Sequence, residues 1–166
     1  MALYSHPCSH TKNLNIMSLI NRSIAGLAGS LALTGIHQLF KKCTTDAPNL
    51  DQVGQEAVNV SLEKIDAPKT DQEQVYAAAM GGNILSNALL FSTLATSTNT
   101  SQIISKTLGT GLLGAAGTIG LADQLLGNNK ATDTDKKKWI TTGYYLLGAV
   151  VSIGVYNLLE RKSKKL

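Results

Sequence analysis

Four long stretches without a fully charged side chain constrain this sequence more than any other feature. They cover residues 24–40, 75–98, 107–122 and 139–159 and are 17, 24, 16 and 21 residues long. A helix needs about 20 predominantly apolar residues to cross the hydrocarbon core of a bilayer. The second and fourth stretches reach this length, and the first reaches it if the Arg22 side chain extends to the interface. The third reaches it only if Lys106 or Asp123 lies at the interface, or if neighbouring helices shelter Asp123.

These stretches favour helices over strands, because period-two alternation is absent and an isolated strand would leave backbone groups unpaired in lipid. We therefore predict an all-α fold, a four-helix transmembrane bundle with spans at about residues 18–40, 75–98, 104–126 and 139–159. Residues 17–162 would form a single membrane domain, which suits a chain of 166 residues. We expect residues 1–16 to be a disordered tail or a start-site extension, and residues 163–166 to be a basic tail.

The charge composition agrees with burial in lipid. Charged residues make up 16% of the chain, whereas a soluble domain has about 25%. The net charge of +4 comes from short basic runs beside apolar segments, not from a basic stripe interleaved with aromatic residues. This arrangement disfavours nucleic acid as a partner. Cys8 and Cys43 show no metal-binding or paired spacing, so we expect free thiols.

The polar segment between the first two spans, residues 41–74, contains an amphipathic pattern. Its apolar residues fall on one face at helical spacing: Leu50, Val53, Ala57, Val58, Leu62 and Ile65. Polar and acidic residues occupy most of the rest, which predicts a short amphipathic helix in the first loop. It would lie on the membrane surface or cap the bundle, and its acidic face favours packing on the protein over adhesion to anionic lipid.

Small residues recur four positions apart in all four spans. They include Ala25 and Gly29, Gly26 and Ser30, Ala78 with Gly82 and Ser86, Thr110 with Gly114 and Thr118, and Gly148 with Ser152. In lipid, close backbone approach over such faces supplies the van der Waals contacts that hold helices together. We favour helix packing over the alternative, a glycine-lined conduit or ligand cleft.

Five polar residues within or near the spans are the candidates for a functional site: His37, Asn83, Ser86, Asn87 and Asp123. Polar groups at membrane depth are costly to bury, so they usually face the bundle interior and find partners there. Asn83 and Asn87 lie one helical turn apart and share a face. The alternatives are a proton or pH role for His37, a shared polar pocket, and a proton relay through Asp123. We favour simpler roles for two of these sites, with His37 reaching headgroup water near its span end and the asparagines bonding between helices. For Asp123, an interfacial helix end and a position at membrane depth are both left open.

No hydrolase, nucleotide-binding or metal-binding motif occurs in the sequence. We therefore expect no enzymatic activity, no catalytic residues, no cofactor and no bound metal. The glycines between residues 109 and 120 do not form a phosphate-binding loop, because no predicted strand precedes them and no GK[ST] follows.

Several segments resemble a group of uncharacterised small bacterial membrane proteins with four helices. The resemblance rests on residues 25–29, 32–38, 79–83 and 86–89, together with Asp46, Ala47, Pro48 and Asp51. It covers roughly residues 17–160 and implies a location in the bacterial inner membrane, but no activity. The polar residues before Met17 depart from the pattern.

The distribution of basic residues hardly distinguishes between the two possible orientations of the chain in a membrane. Seven lie on the side of the termini and eight on the opposite side, so the positive-inside rule barely decides. The dense C-terminal basic run and the acidic first loop favour cytoplasmic termini. Our leading hypothesis is a non-enzymatic protein of the lipid bilayer that packs with itself or with a membrane-protein partner. The alternatives are a minimal transporter or proton-coupled carrier using His37, Asn87 and Asp123, and a soluble helical bundle.

Overall fold

The computed structural model describes residues 10–68, 70–94, 100–126 and 131–163. Within these ranges the chain forms five helices and no strand, which confirms the all-α prediction. The helices are α1 (His10–Cys43), α2 (Leu50–Lys64), α3 (Gln72–Ser92), α4 (Thr100–Leu126) and α5 (Asp135–Ser163).

The four long helices pack in an alternating up-and-down arrangement, with α1 against both α3 and α5, and α4 against α5. Gly26, in the first half of α1, lies against Ala88 and Ser92 near the end of α3. Gly29 lies against Gly148 of α5, while the Phe40 ring packs near Tyr144. Residues nearer the C-terminal end of α1 contact residues nearer the N-terminal ends of α3 and α5, so α1 is antiparallel to both.

Small residues let these helices approach closely, as their four-residue spacing predicts. A Cβ atom placed on Gly29 would lie 2.5 Å from the Gly148 carbonyl oxygen, so neither glycine tolerates a side chain without movement of a backbone. Two serines add hydrogen bonds from α1 and α5 to the backbone of α3. Ser30 donates to the Ile84 carbonyl at 2.7 Å, and Ser152 donates to the Phe91 carbonyl at 3.3 Å.

The core lies where α1, α3 and α5 meet. Phe91 is fully buried there and packs in one cluster with Leu33, Tyr144, Tyr145 and Ala149. Burying a large aromatic side chain stabilises a fold by about 1.5–3 kcal/mol relative to leaving it exposed. This cluster therefore fixes the relative positions of three of the four long helices.

Helix α2 confirms the predicted amphipathic helix in the first loop. Its apolar face begins with Leu50 and Val53, which are buried. Gly54 lies against Ala79 of α3, and Val53 packs with Ala122 of α4. The helix thus packs on the protein, between one end of α3 and the adjacent end of α4.

Several helix bounds differ from the predicted spans and tails. Helix α1 begins at His10, so residues 10–16 are helical although the sequence pattern assigns them to a disordered tail. Helix α3 ends at Ser92 and turns at Thr93, where the sequence predicts a span up to residue 98. Residues 1–9, 69, 95–99, 127–130 and 164–166 lie outside the described residues, and the tails and loops predicted there are therefore not described.

Two of the described helices are long and apolar enough to cross a membrane: α1, over Ile16–Cys43, and α5, over Asp135–Ser163. In their apolar windows only 33% and 28% of the residues are buried. A helix at the centre of a soluble protein would be mostly buried instead. Both helices therefore present long apolar surfaces to their surroundings.

Candidate functional site

A cavity of about 640 Å³ lies between α2, α3 and α4, above a floor formed by α1 and α5. Small residues on both walls leave this space open. On α3 these are Ala78, Gly82 and Ser86, and on α4 they are Gly114 and Gly117. A side chain added at Gly82 or Gly117 would meet no heavy atom within 4 Å, whereas one added at Gly114 would collide with the Tyr145 ring.

The remaining walls of the cavity are apolar and partly open to the surface. They include Val58 and Leu62 from α2, Ile65 directly after it, Leu90 from α3, and Leu113 and Leu121 from α4. Leu113 and Leu121 are also exposed, so the cavity opens outward beside α4. None of its lining residues, all of which the structure describes, is Lys, Arg, His, Asp or Glu.

Uncharged polar side chains gather at one side of the cavity. The Asn87 amide is 4% exposed and donates to the Asn83 side-chain oxygen at 3.0 Å. The hydroxyl groups of Thr118 and Tyr145 form a hydrogen bond across α4 and α5, and Asn87 also interacts with the Tyr145 phenol. Asn87 is thus bonded to two protein side chains, whereas Asn83 accepts from Asn87 and its own two N–H groups donate to no described protein atom. This polar group, defined by Asn83, Asn87, Thr118 and Tyr145, can therefore still bond to a ligand.

A second, separate polar group lies where α1 ends and α2 begins. The His37 Nε2 atom lies 3.0 Å from the Pro48 carbonyl oxygen, and because that oxygen only accepts, Nε2 carries the proton. The other ring nitrogen, Nδ1, is 3.7 Å from the Asp51 carboxylate. Gln38 and Lys41 donate to the same carboxylate at 3.1 Å and 2.6 Å. These contacts tie the first turn of α2 to α1.

The predicted surface role of His37 is wrong. Its side chain is 2% exposed and lies beneath the Tyr144 ring, 5.7 Å away between ring centroids. The physical reason is the chain reversal after Cys43, which places Pro48 and Asp51 over the ring. The sequence pattern assigns Asp51 only to the polar face of α2, so its role as partner to α1 was missed.

Two exposed ion pairs lie at the same end of the molecule. Lys136 pairs with Asp46, and Lys137 pairs with Asp133 at 2.9 Å. The hydrogen bond from Lys136 lowers the pKa of Asp46 below its ordinary value, and the hydrogen bond from Lys137 does the same for Asp133. The first pair joins the α1–α2 connection to the start of α5.

The structure brings together three of the five candidate residues and separates the other two. Asn83, Ser86 and Asn87 line the cavity. His37 belongs to the polar group around Asp51, and Asp123 is exposed on α4. Sequence reasoning missed Tyr145 as a member of the site and assigned Thr118 to packing, because neither residue carries a signal that distinguishes a cavity from a helix contact.

No family model, curated protein or solved structure matches this chain. Within the described ranges, no three His, Cys, Asp or Glu side chains are grouped so that they could hold a metal ion.

Proposed function

We propose that this chain is a multi-pass integral membrane protein that acts by non-covalent binding and not by catalysis. Its four long helices would cross a bacterial inner membrane, with both termini in the cytoplasm. The cavity between α2, α3 and α4 would hold a hydrophobic partner molecule. The single observation that carries the binding role is this cavity, whose volume falls within the roughly 300–1,000 Å³ typical of ligand pockets.

The surfaces of the four long helices support insertion in a bilayer. Large apolar side chains are exposed along all of them, including Ile24, Leu27 and Leu31 on α1, Leu85 and Leu89 on α3, Ile104, Leu108 and Leu112 on α4, and Leu147, Val150 and Leu158 on α5. A soluble monomer rarely exposes a contiguous apolar patch larger than a few hundred Å². Trp139 is 74% exposed at the start of α5, beside three lysines, as is common for an aromatic residue at headgroup depth.

Carbonate extraction of membranes from cells that express the full chain tests membrane insertion. We expect the protein to stay in the pellet at alkaline pH, as an integral protein does, and to leave it only with detergent. Release into the supernatant by carbonate would favour the soluble bundle and would contradict the proposal.

Assembly with a second copy or a partner helix is a second candidate function. It is favoured by Gly82, which belongs to the small-residue face of α3 and at which an added Cβ would meet no heavy atom within 4 Å. Under this candidate, Gly82→Leu should reduce the size of the detergent-solubilised assembly without loss of thermal stability. Gly114→Leu is not equivalent, because its side chain would collide with Tyr145 and disturb the fold itself.

If the size of the detergent-solubilised assembly does not change in Gly82→Leu, assembly through this face is excluded. Ligand binding in the cavity is tested separately, by labelling.

The carrier alternative would need His37, Asn87 and Asp123 to share one polar cavity. Only Asn87 lines the cavity described above, so the proposal makes no use of a proton relay through those three residues.

A further inference from the structure

We propose that the cavity takes an uncharged single-chain lipid whose head carries hydroxyl and ester oxygens, as a monoacylglycerol does. This inference rests on the proposed membrane insertion and narrows the kind of molecule bound. It follows from three features of the cavity: the absence of charge in its lining, the position of its polar group, and the character of its walls.

The lining excludes a charged ligand head inside the cavity. None of its residues carries a full charge, and burying an ionised group without a partner costs several kcal/mol or more. A fatty-acid carboxylate, a phosphate ester or an ammonium group would meet no counter-charge there. The bound head is therefore neutral.

The depth of the polar group distinguishes such a lipid from a membrane phospholipid. Asn83 is eleven residues after the start of α3 at Gln72 and nine before its end at Ser92. At a rise of 1.5 Å per residue, the amide lies roughly 14–16 Å from either end of the helix, near mid-membrane. A phospholipid tail could fill the apolar part, but its charged head would stay at the surface and leave the Asn83 N–H groups without an acceptor. A neutral head can enter and bond to them.

The bonding capacity of the polar group matches a head with both donors and acceptors. Asn87 donates one N–H to Asn83, and within the described residues the Asn83 amide nitrogen donates to no protein atom. Ester and hydroxyl oxygens can accept these N–H groups, and hydroxyl groups can donate to the amide oxygens. Unpaired polar groups in an apolar site make a ligand without such oxygens bind more weakly.

The walls favour an aliphatic chain over a flat ring system. Tyr145 is the one aromatic residue among the described residues that line the cavity, and the others are mainly Leu, Val, Ala and Gly. The outward opening beside Leu113 and Leu121 faces lipid once α4 is in the bilayer. A single chain can enter laterally through this opening, and the volume of about 640 Å³ suits one chain better than two.

Photo-labelling of the full chain tests this inference. The protein is reconstituted in phosphatidylcholine vesicles with a monoacylglycerol that carries a diazirine in its chain, and labelled peptides are mapped by mass spectrometry. Three competitors of equal chain length are added in excess: unlabelled monoacylglycerol, an alkyl sulfate and an alkyl trimethylammonium. We expect labels on the α3 and α4 segments that line the cavity, suppressed about fivefold more by the neutral competitor than by either charged one. Equal suppression by all three, or labels spread over the outer helix surfaces, would overturn the inference.

Matched glycine variants locate the bound lipid. Gly82→Leu fills the cavity, whereas Gly154→Leu adds the same side chain at another open helical position outside the cavity lining. Cavity labelling should fall about fivefold or more in the first variant and stay unchanged in the second. Equal labelling of both variants would contradict the inference.

An Asn83→Leu variant separates the lipid class from the proposed function. It should abolish the preference for the neutral competitor, while a purely aliphatic diazirine probe still labels the cavity. Suppose that the aliphatic probe labels the cavity of the unsubstituted protein and that this labelling is lost in Gly82→Leu, while no competitor is preferred. In that case the lipid class is wrong, but the binding role of the cavity stands. Release by carbonate would instead remove the proposed function itself.

Discussion

Glycine residues that look alike in the sequence play opposite structural roles. At Gly29 an added Cβ would lie 2.5 Å from a backbone oxygen of α5, whereas at Gly35, six residues later, it would meet nothing within 4 Å. Packing in a well-filled interior tolerates little added volume. The same substitution should therefore have very different effects at the two positions.

We predict that Gly29→Ala destabilises the protein by about 1–3 kcal/mol, because the backbones of α1 and α5 must separate to fit the methyl group. Gly35→Ala is the matched control and should be neutral or up to about 1 kcal/mol stabilising, since alanine has the higher helix propensity. Thermal unfolding in detergent, followed by circular dichroism, measures both. Equal stability of the two variants would contradict the close crossing at Gly29.

The ion pair between Asp46 and Lys136 gives a pH prediction. Lys136 lowers the pKa of Asp46 from its ordinary value of 3.8 in the folded protein. The pair therefore stabilises the fold above that value, and its contribution is lost as the pH falls through the lower folded value. Between pH 6 and pH 3 the melting temperature of Asp46→Asn should therefore fall less than that of the unsubstituted protein. The melting temperature of Glu63→Gln, an exposed change on α2, should fall by the same amount as that of the unsubstituted protein. An unchanged pH profile in Asp46→Asn would show that the pair does not contribute.

The sequence predicts residue roles only where one chemical rule decides them. The four-residue spacing of small residues correctly predicts close packing at Gly29, Gly114 and Gly148. It cannot tell that Gly82, with equivalent spacing, faces a cavity, because the rotation of each helix depends on all its neighbours. The burial of His37 was equally hidden, since it depends on Pro48 and Asp51 folding back over the ring.

Polar contacts hold one end of helix α2 against α1. Its first turn is held to α1 through the Asp51 carboxylate, which accepts from Gln38 and Lys41. Its apolar face closes one side of the cavity. Amphipathic spacing predicted this helix and its apolar face, but the partner helices could not be inferred from one sequence.

We predict that Asp51→Asn loosens α2 while the four long helices stay folded. Loss of the carboxylate removes a charged hydrogen-bond acceptor and should cost about 1–3 kcal/mol in the local opening of α2. Hydrogen exchange followed by mass spectrometry should show faster exchange in residues 50–57, with α5 unchanged. Glu63→Gln, at the other end of the same helix, is the control and should exchange like the unsubstituted protein. Unchanged exchange in Asp51→Asn would mean that apolar contacts alone hold α2.

All four long helices expose apolar surfaces, but they differ in length and hydropathy and so in how well each is suited to cross a membrane. Only α1 and α5 are long and apolar enough by that measure to cross a membrane. The sequence indicates the second and fourth stretches, which overlap α3 and α5, as the most secure spans. On α3 the polar residues Asn83, Ser86 and Asn87 interrupt the apolar sequence and line the cavity. The central claim therefore depends on whether α3 and α4 lie in the bilayer beside α1 and α5.

Cysteine accessibility at Leu85 and Leu112 tests that claim most directly. Leu85→Cys on α3 and Leu112→Cys on α4 are made in a background with Cys8→Ser and Cys43→Ser, and Glu63→Cys serves as the water-exposed control. Membrane vesicles are made leaky, so that a membrane-impermeant maleimide reaches both faces of the bilayer. The maleimide is added before or after denaturation in dodecyl sulfate. We predict that Leu85→Cys and Leu112→Cys react only after denaturation, while Glu63→Cys reacts in both conditions. Reaction of Leu85→Cys and Leu112→Cys in the intact membrane would place α3 and α4 in water and would contradict the four-helix membrane bundle.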